Sequence, residues 1–275
     1  MYLEKFSLKN KTALITGAGG VLGLEHALAL LETGAFVFLT DISKKSLKNN
    51  VKIIEKKYEK NRFNFIQMDV ANEKSVKNCL KKIKKKGKKV DILINNAGIN
   101  PTFGKIKKNL DTRLENFSLN DWKKEVDVGL TGAFLCCKIF GYEMKKKKYG
   151  VILNISSDLS VISPDQRIYE KQKANDNNQP TKPISYSAVK SGLIGLTKYI
   201  ATYWAKFGVR CNAISPGGIF ENQDKLFVKK LVKLIPLGRM ARKDEYRSVV
   251  QFLCSNASAY MNGHNLVMDG GRSIW

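Results

Sequence analysis

Short apolar runs alternate with longer amphipathic segments along almost the whole chain, and this alternation limits the fold more than any other feature of the sequence. The runs "TALIT", "AFVFLT", "FNFIQM", "VDILIN", "VILNIS", "VRCNAIS" and "LVMD" have strand length. Helical spacing between them predicts helices at Leu22 to Glu32, Lys44 to Lys60, Glu73 to Lys85, Leu119 to Lys147, Tyr186 to Lys206, Asp224 to Leu234 and Lys243 to Ser255. Strands that read as continuous apolar runs and are joined by helices pair in parallel and are covered on both faces. The expected architecture is therefore α/β, a doubly wound sheet of seven parallel strands in a single domain spanning residues 1–275. Ligands of such sheets lie beyond the carboxyl ends of the strands, so function is sought in the loops that follow them. Two of these loops carry long polar insertions, near 100–118 and 164–183. Loops of that length in a compact domain are lids, binding loops or disordered excursions.

Composition narrows the partners. The formal net charge is +24, carried mostly by lysine in runs such as "KKIKKKGKK". Base-reading surfaces rely on arginine forks, and arginine is scarce, so the lysines read as solvated faces and no nucleic-acid partner is expected. The charge would still favour encounter with an anionic small substrate. No apolar run is long enough to span a bilayer and the first residues lack a signal-peptide core, so a soluble cytoplasmic protein without a membrane partner is expected. Cys79, Cys136, Cys137, Cys211 and Cys254 have neither metal-ligand spacing nor a CxxC pair, which leaves small buried hydrophobes and no metal site.

"TALITGAGGVLGLEHALAL" is a strand, a glycine-rich turn and a helix in immediate succession. Glycines there permit a tight turn and close approach of a pyrophosphate to the free N–H groups of the helix, although a tight turn without a ligand gives the same pattern. Asp41 ends the second strand about twenty residues on, where a carboxylate can hold both ribose hydroxyls of a dinucleotide. It would repel a 2′-phosphate, which favours NAD over NADP; alternatively Asp41 caps the following helix. Asp69 and Val70 end the third strand, where the adenine edge would lie. Tyr186 and Lys190 in "ISYSAVKSG" share one helix face, one turn apart, either as ordinary neighbours or as a phenol beside a cation.

Together with "NNAG", "NISS", "SPGG" and the terminal "DGG", in that order, these stretches resemble the classical short-chain dehydrogenase/reductase family over essentially the whole chain. "VGLTGAFLC", "SSDLSVISPDQRIY", "KPISYSAVKSGLIGLTKYIATYW" and "IPLGRMA" resemble more narrowly its flagellin-modification, surface-glycan type. The resemblance implies a Rossmann fold and hydride transfer between NAD(P) and a secondary alcohol or ketone of a sugar, amino sugar or nucleotide sugar. A 3-oxoacyl thioester or other small ketone is the alternative substrate, and a cofactor-binding protein without activity the alternative function. It makes Tyr186 the general acid/base, Lys190 the cation that lowers the phenol's ordinary pKa of about 10, and Ser157 the donor to the substrate oxygen. The cofactor would lie along Gly17, Gly20, Val21, Leu22, Gly23, Asp41, Asp69, Val70, Asn96, Ala97, Gly98, Tyr186, Lys190, Pro216, Gly217 and Ile219. Asp158, Gln166, Arg167 and Tyr169 of the second insertion are the expected substrate contacts. The long apolar helices 119–147 and 186–206 imply a homodimer or homotetramer.

Three positions and one interval depart from the family pattern. Val21 stands in place of the middle glycine, Gly129 in place of an asparagine that holds a water in the proton relay, and Glu221 in place of a threonine. The interval from Ser157 to Tyr186 is about twice the usual length, which an outward bulge accommodates at small entropic cost.

Overall fold

The computed structural model describes residues 2–100, 112–171 and 179–275. Seven strands form one sheet: β1 (Thr12–Ile15), β2 (Phe36–Asp41), β3 (Phe63–Gln67), β4 (Ile92–Asn95), β5 (Gly150–Ile155), β6 (Val209–Pro216) and β7 (Asn265–Met268). They lie in the order β3-β2-β1-β4-β5-β6-β7, every pair parallel. The order reverses between β1 and β4, and that switch point is where a crevice opens at the strand ends.

The period-two pattern explains the two layers. In β1, Ala13 and Ile15 face one way, into a core built with α1 (Val21–Glu32), α2 (Lys44–Ile54) and, near the end of the chain, the helix Arg247–Cys254. Leu14 faces the other way, toward α3 (Glu73–Lys85), α4 (residues 119–146) and α5 (Ile184–Trp204). All four β1 side chains are buried, and each large aliphatic so placed contributes roughly 1.5–3 kcal/mol. A shorter α6 (Lys225–Val232) packs Leu231 against Ile168 of the second insertion, and Arg247–Cys254 is α7. All five cysteines are buried and free, as apolar packing residues. No helix among the described residues is long and apolar enough to cross a membrane.

Helix ends follow local chemistry. The predicted helix from Lys44 to Lys60 stops at Ile54, where the apolar spacing ends, and begins at Ser43, whose hydroxyl accepts from the Ser46 N–H. The predicted Asp224 to Leu234 segment likewise opens on an Asp224 cap. The segment expected as a regular helix from Leu119 to Lys147 is interrupted by two π turns, Asp127–Thr131 and Cys137–Gly141. Each π turn sets a glycine against α5: a Cβ on Gly129 would lie 2.5 Å from Val189 Cγ1, and one on Gly141 2.3 Å from Trp204 Cζ3. Gly129→Asn is thus expected to destabilise the protein by about 1–3 kcal/mol through overpacking, read as a lower denaturation midpoint and partly relieved by adding Val189→Ala.

Candidate active site

The glycine-rich turn sits at the switch point, and its geometry depends on the missing side chains. Gly17 has φ +63°, and a Cβ there would lie 2.8 Å from Ala97 Cα. A Cβ on Gly23 would lie 2.4 Å from Gly17 O, so the first turn of α1 rests directly on the loop. Gly20 precedes α1 and offers no side-chain cap, leaving the N–H groups of the first helical turn, from Val21 through Leu22 to Gly23, for a ligand. Val21, in place of the middle glycine, points outward at 39% exposure and does not obstruct the turn. Asn96 closes the other wall, its Nδ2 donating to Thr16 O at 3.0 Å and Gly17 O at 3.1 Å, while the Asn96 and Ala97 N–H groups donate to Thr16 Oγ1 at 3.0 Å. These residues and the N-terminus of α1 form a cradle that a pyrophosphate would fill, so they fit a dinucleotide.

Asp41 reaches over the turn: its Oδ2 accepts from the Gly19 N–H at 3.0 Å and its Oδ1 from the Ser43 N–H at 2.8 Å. Capping of α2 falls to Ser43, so the helix-cap alternative for Asp41 is not what the chain adopts. Asp69 Oδ1 accepts from the Ala71 N–H at 3.0 Å, and Val70 is buried, lying where a Cβ on Gly132 would be 2.7 Å from its Cγ2. Gly98 faces the Lys190 ammonium. On the other side of the crevice Pro216 ends β6, the Gly217 N–H donates to Met268 O, and Ile219 bridges to Ala241.

Ser157 follows β5 and Tyr186 stands in the first turn of α5, so the sheet and the helix bring them together despite the long insertion between them. The Ser157 hydroxyl contacts that of the half-buried Tyr186, which is pushed up to about 12 by desolvation, an effect that outweighs the opposing contact with Ser157. Lys190 lies one turn further along α5; its Nζ donates to Ile155 O at 2.8 Å and is 5.6 Å from the Tyr186 ring centroid. Burial lowers Lys190 to about 8. The cation to which the family resemblance assigns the lowering of the Tyr186 pKa is thus present one turn along, while burial raises that pKa.

The four expected substrate contacts divide. Asp158 is turned inward: Oδ1 accepts from Ser157 Oγ at 2.8 Å and Oδ2 from Arg272 Nη1 at 2.7 Å, a pair only 5% and 6% exposed. Arg167 points outward at 81% side-chain exposure, bound to Asp165, because a charged fork is more stable in water than in this apolar corner. Gln166 brackets a neighbouring backbone unit, accepting from the Lys182 N–H at 2.8 Å and donating to Lys182 O at 3.3 Å. Tyr169 stacks on Phe227 of α6 with ring centroids 5.5 Å apart, and burial pushes its phenol up. Glu221, in place of the threonine, lies in the loop before α6, and its N–H donates to Gln223 Oε1 at 2.8 Å.

Several residues at the site were not singled out by the sequence. Lys182, from the second insertion, is 8% exposed and sets its Nζ 3.7 Å from the Tyr186 ring centroid, donating to Asn100 Oδ1 at 2.6 Å. Glu125 of α4 accepts from Ser185 Oγ, and burial raises its pKa. Arg272 arrives from the segment after β7. A signal for Lys182 existed, since Lys182, Tyr186 and Lys190 recur at intervals of four. Lysine is so abundant in this chain that the spacing carried no contrast. Among the described residues no group of His, Cys, Asp and Glu could hold a metal ion.

A doubly wound sheet with a dinucleotide cradle at its switch point and a serine, tyrosine and lysine beside it defines a nicotinamide-dependent oxidoreductase of alcohols and ketones. Residues 11–225 match the short chain dehydrogenase family, and the chain belongs to that family. It is 31% identical over 276 residues to an NAD-dependent glycerol dehydrogenase of Listeria innocua, covering 98% of this chain and 97% of that protein. It is 32% identical over 268 residues to a 3-oxoacyl-[acyl-carrier-protein] reductase of Synechocystis sp., with 96% and 98% covered. A gluconate 5-dehydrogenase from Burkholderia cenocepacia, solved with NADP and tartrate, superposes with a TM-score of 0.85 at 28% identity and covers all of both chains.

Proposed function

We propose that the protein oxidises or reduces a secondary alcohol or ketone in a polyhydroxylated substrate, a polyol, sugar or sugar acid, with NAD as the preferred cofactor. The observation that carries the reading is the convergence of Ser157, Tyr186 and Lys190 beside the glycine-rich cradle. When bound, the nicotinamide supplies or accepts the hydride. Tyr186 gives its phenolic proton to the carbonyl oxygen during reduction and takes one from the alcohol during oxidation. Ser157 orients that oxygen, its hydroxyl turning from Asp158 toward the substrate. Lys190 holds the nicotinamide ribose and supports charge on the phenol. Gly17, Gly20, Val21, Leu22 and Gly23 receive the pyrophosphate, Asn96, Ala97 and Gly98 line the adenosine side with Asp69 and Val70, and Pro216, Gly217 and Ile219 frame the nicotinamide end.

Polar groups favour an oxygen-rich substrate over an acyl chain: Lys182 lies on the phenol ring, Asn100 and Gln166 bind Lys182, Glu125 binds the neighbouring Ser185, and none would welcome an apolar tail. Likeness to a glycerol dehydrogenase and a gluconate 5-dehydrogenase points the same way. A surface-glycan destination rests only on the sequence stretches quoted above. NADH formation from polyols and aldonates, followed by absorbance, tests the substrate class; turnover confined to 3-oxoacyl thioesters would reject it.

NAD preference rests on Asp41, whose carboxylate overhangs the turn where a ribose would sit. Asp41→Ala is expected to raise efficiency with NADP relative to NAD by about tenfold, equivalent to roughly 1.4 kcal/mol. An unchanged ratio would remove Asp41 from cofactor choice. The working unit we propose is a homodimer or homotetramer, because Tyr199 and Tyr203 stack 5.5 Å apart on α5 while 63% and 58% exposed, and Phe134 and Tyr142 of α4 are exposed too. A cytoplasmic setting suits five free thiols.

A further inference from the structure

We propose that Lys182 is a second cation for Tyr186: seated on the face of the phenol ring, its ammonium stabilises the phenolate and holds the proton-transfer group in working range. This rests on the reading of Tyr186 as the proton-transfer residue, and it gives a task to a lysine of the long insertion.

The placement is specific. Lys182 Nζ is 3.7 Å from the ring centroid, nearer than Lys190 Nζ at 5.6 Å, whose ammonium donates to Ile155 O. A cation on a buried ring face already interacts favourably with the neutral phenol and more strongly with the phenolate, whose charge spreads into the ring. Lys182 is held at both ends. Gln166 binds both sides of its backbone, and Asn100 Oδ1 accepts from Nζ at 2.6 Å. Pro183 follows and leads directly into α5, so backbone position and ring position are coupled.

Every charged group around the phenol is accounted for among the described residues. Lys190 comes from α5 itself. Ser157 and Asp158 come from the end of β5; Asp158 is paired with Arg272, yet its carboxylate still raises the pKa of the phenol. Glu125 comes from α4, bound to Ser185 and drawn toward its neutral form by burial. Tyr169, from the insertion, is kept neutral by burial. Two ammonium groups face the phenol and oppose the upward pull of burial and of the Asp158 carboxylate. Burial lowers Lys182 only to about 8, so it remains a cation at neutral pH. Burial drives the phenol the opposite way, to about 12, so each added cation matters to the working pH.

The experiment compares full-length protein with Lys182→Met and Lys182→Arg. Tyr186 ionisation is followed by tyrosinate difference absorbance against pH, with Tyr186→Phe as the blank, with and without NAD. The pH dependence of kcat for alcohol oxidation is measured at saturating cofactor. In Lys182→Met the Tyr186 midpoint is expected to rise by about one pH unit, and kcat at neutral pH to fall about tenfold with KM changed less than about twofold. Lys182→Arg should keep both near wild type. Native melting and NADH fluorescence verify the fold, and Lys182→Gln provides the same reading if the methionine variant melts early. An unmoved midpoint overturns the proposal. So does a loss confined to KM, which would make Lys182 a holder of a substrate anion instead. The titration needs no substrate, so it remains decisive even if the substrate class proposed above is wrong.

Discussion

Tyr186→Phe is expected to lower kcat by about 10² to 10⁴ while leaving the dissociation constant for NADH within about twofold. The change deletes one oxygen and keeps the ring, so the packing against Lys182 and the first turn of α5 persist. What disappears is the hydroxyl that contacts Ser157 at the end of β5. Rapid mixing with substrate measures the chemical step, and fluorescence titration measures binding. A variant that turns over at more than a tenth of the wild-type rate would show that another group moves the proton.

The second large effect is on stability. Arg272→Met leaves the Asp158 carboxylate buried without its cation, in a site where both side chains are about 95% covered. Removing one partner of a buried pair costs about 3–5 kcal/mol, because the remaining charge loses both its water and its counter-ion. For a domain of this size that corresponds to a fall in Tm of roughly 10 °C, measurable by calorimetry. Asp158→Asn combined with Arg272→Met should recover part of the loss, since no unpaired charge remains. Equal melting of the wild type and Arg272→Met would mean that the pair contributes nothing net.

How much of this was legible in the sequence depends on the range of the interactions. The sheet was readable because its central strands are buried on both faces, as the apolar run "TALIT" shows, and the Gly17 to Gly23 turn was readable because its glycines answer a local backbone demand. Ser157, Tyr186 and Lys190 could be placed by motif, since strand ends and helix starts carry them to one crevice. The π turns in α4 were not readable, because they arise where Gly129 and Gly141 meet Val189 and Trp204 across a helix pair. The inward turn of Asp158 depends on Arg272, more than a hundred residues later, and the outward turn of Arg167 on Asp165 beside it. Lys182 was hidden by composition: one lysine among many looks solvated until the fold buries it. Residues 101–111 and 172–178 of the two insertions lie outside the described residues.

The most direct test of the central claim is the steady-state rate of nicotinamide reduction or oxidation with polyols, sugars and sugar acids set beside 3-oxoacyl thioesters, each with NAD and NADP, in wild type and Tyr186→Phe. The account predicts turnover of an oxygen-rich alcohol or ketone, faster with NAD, and lost in Tyr186→Phe. Preferred turnover of the acyl thioesters, or sugar turnover that survives loss of the phenol, would contradict it.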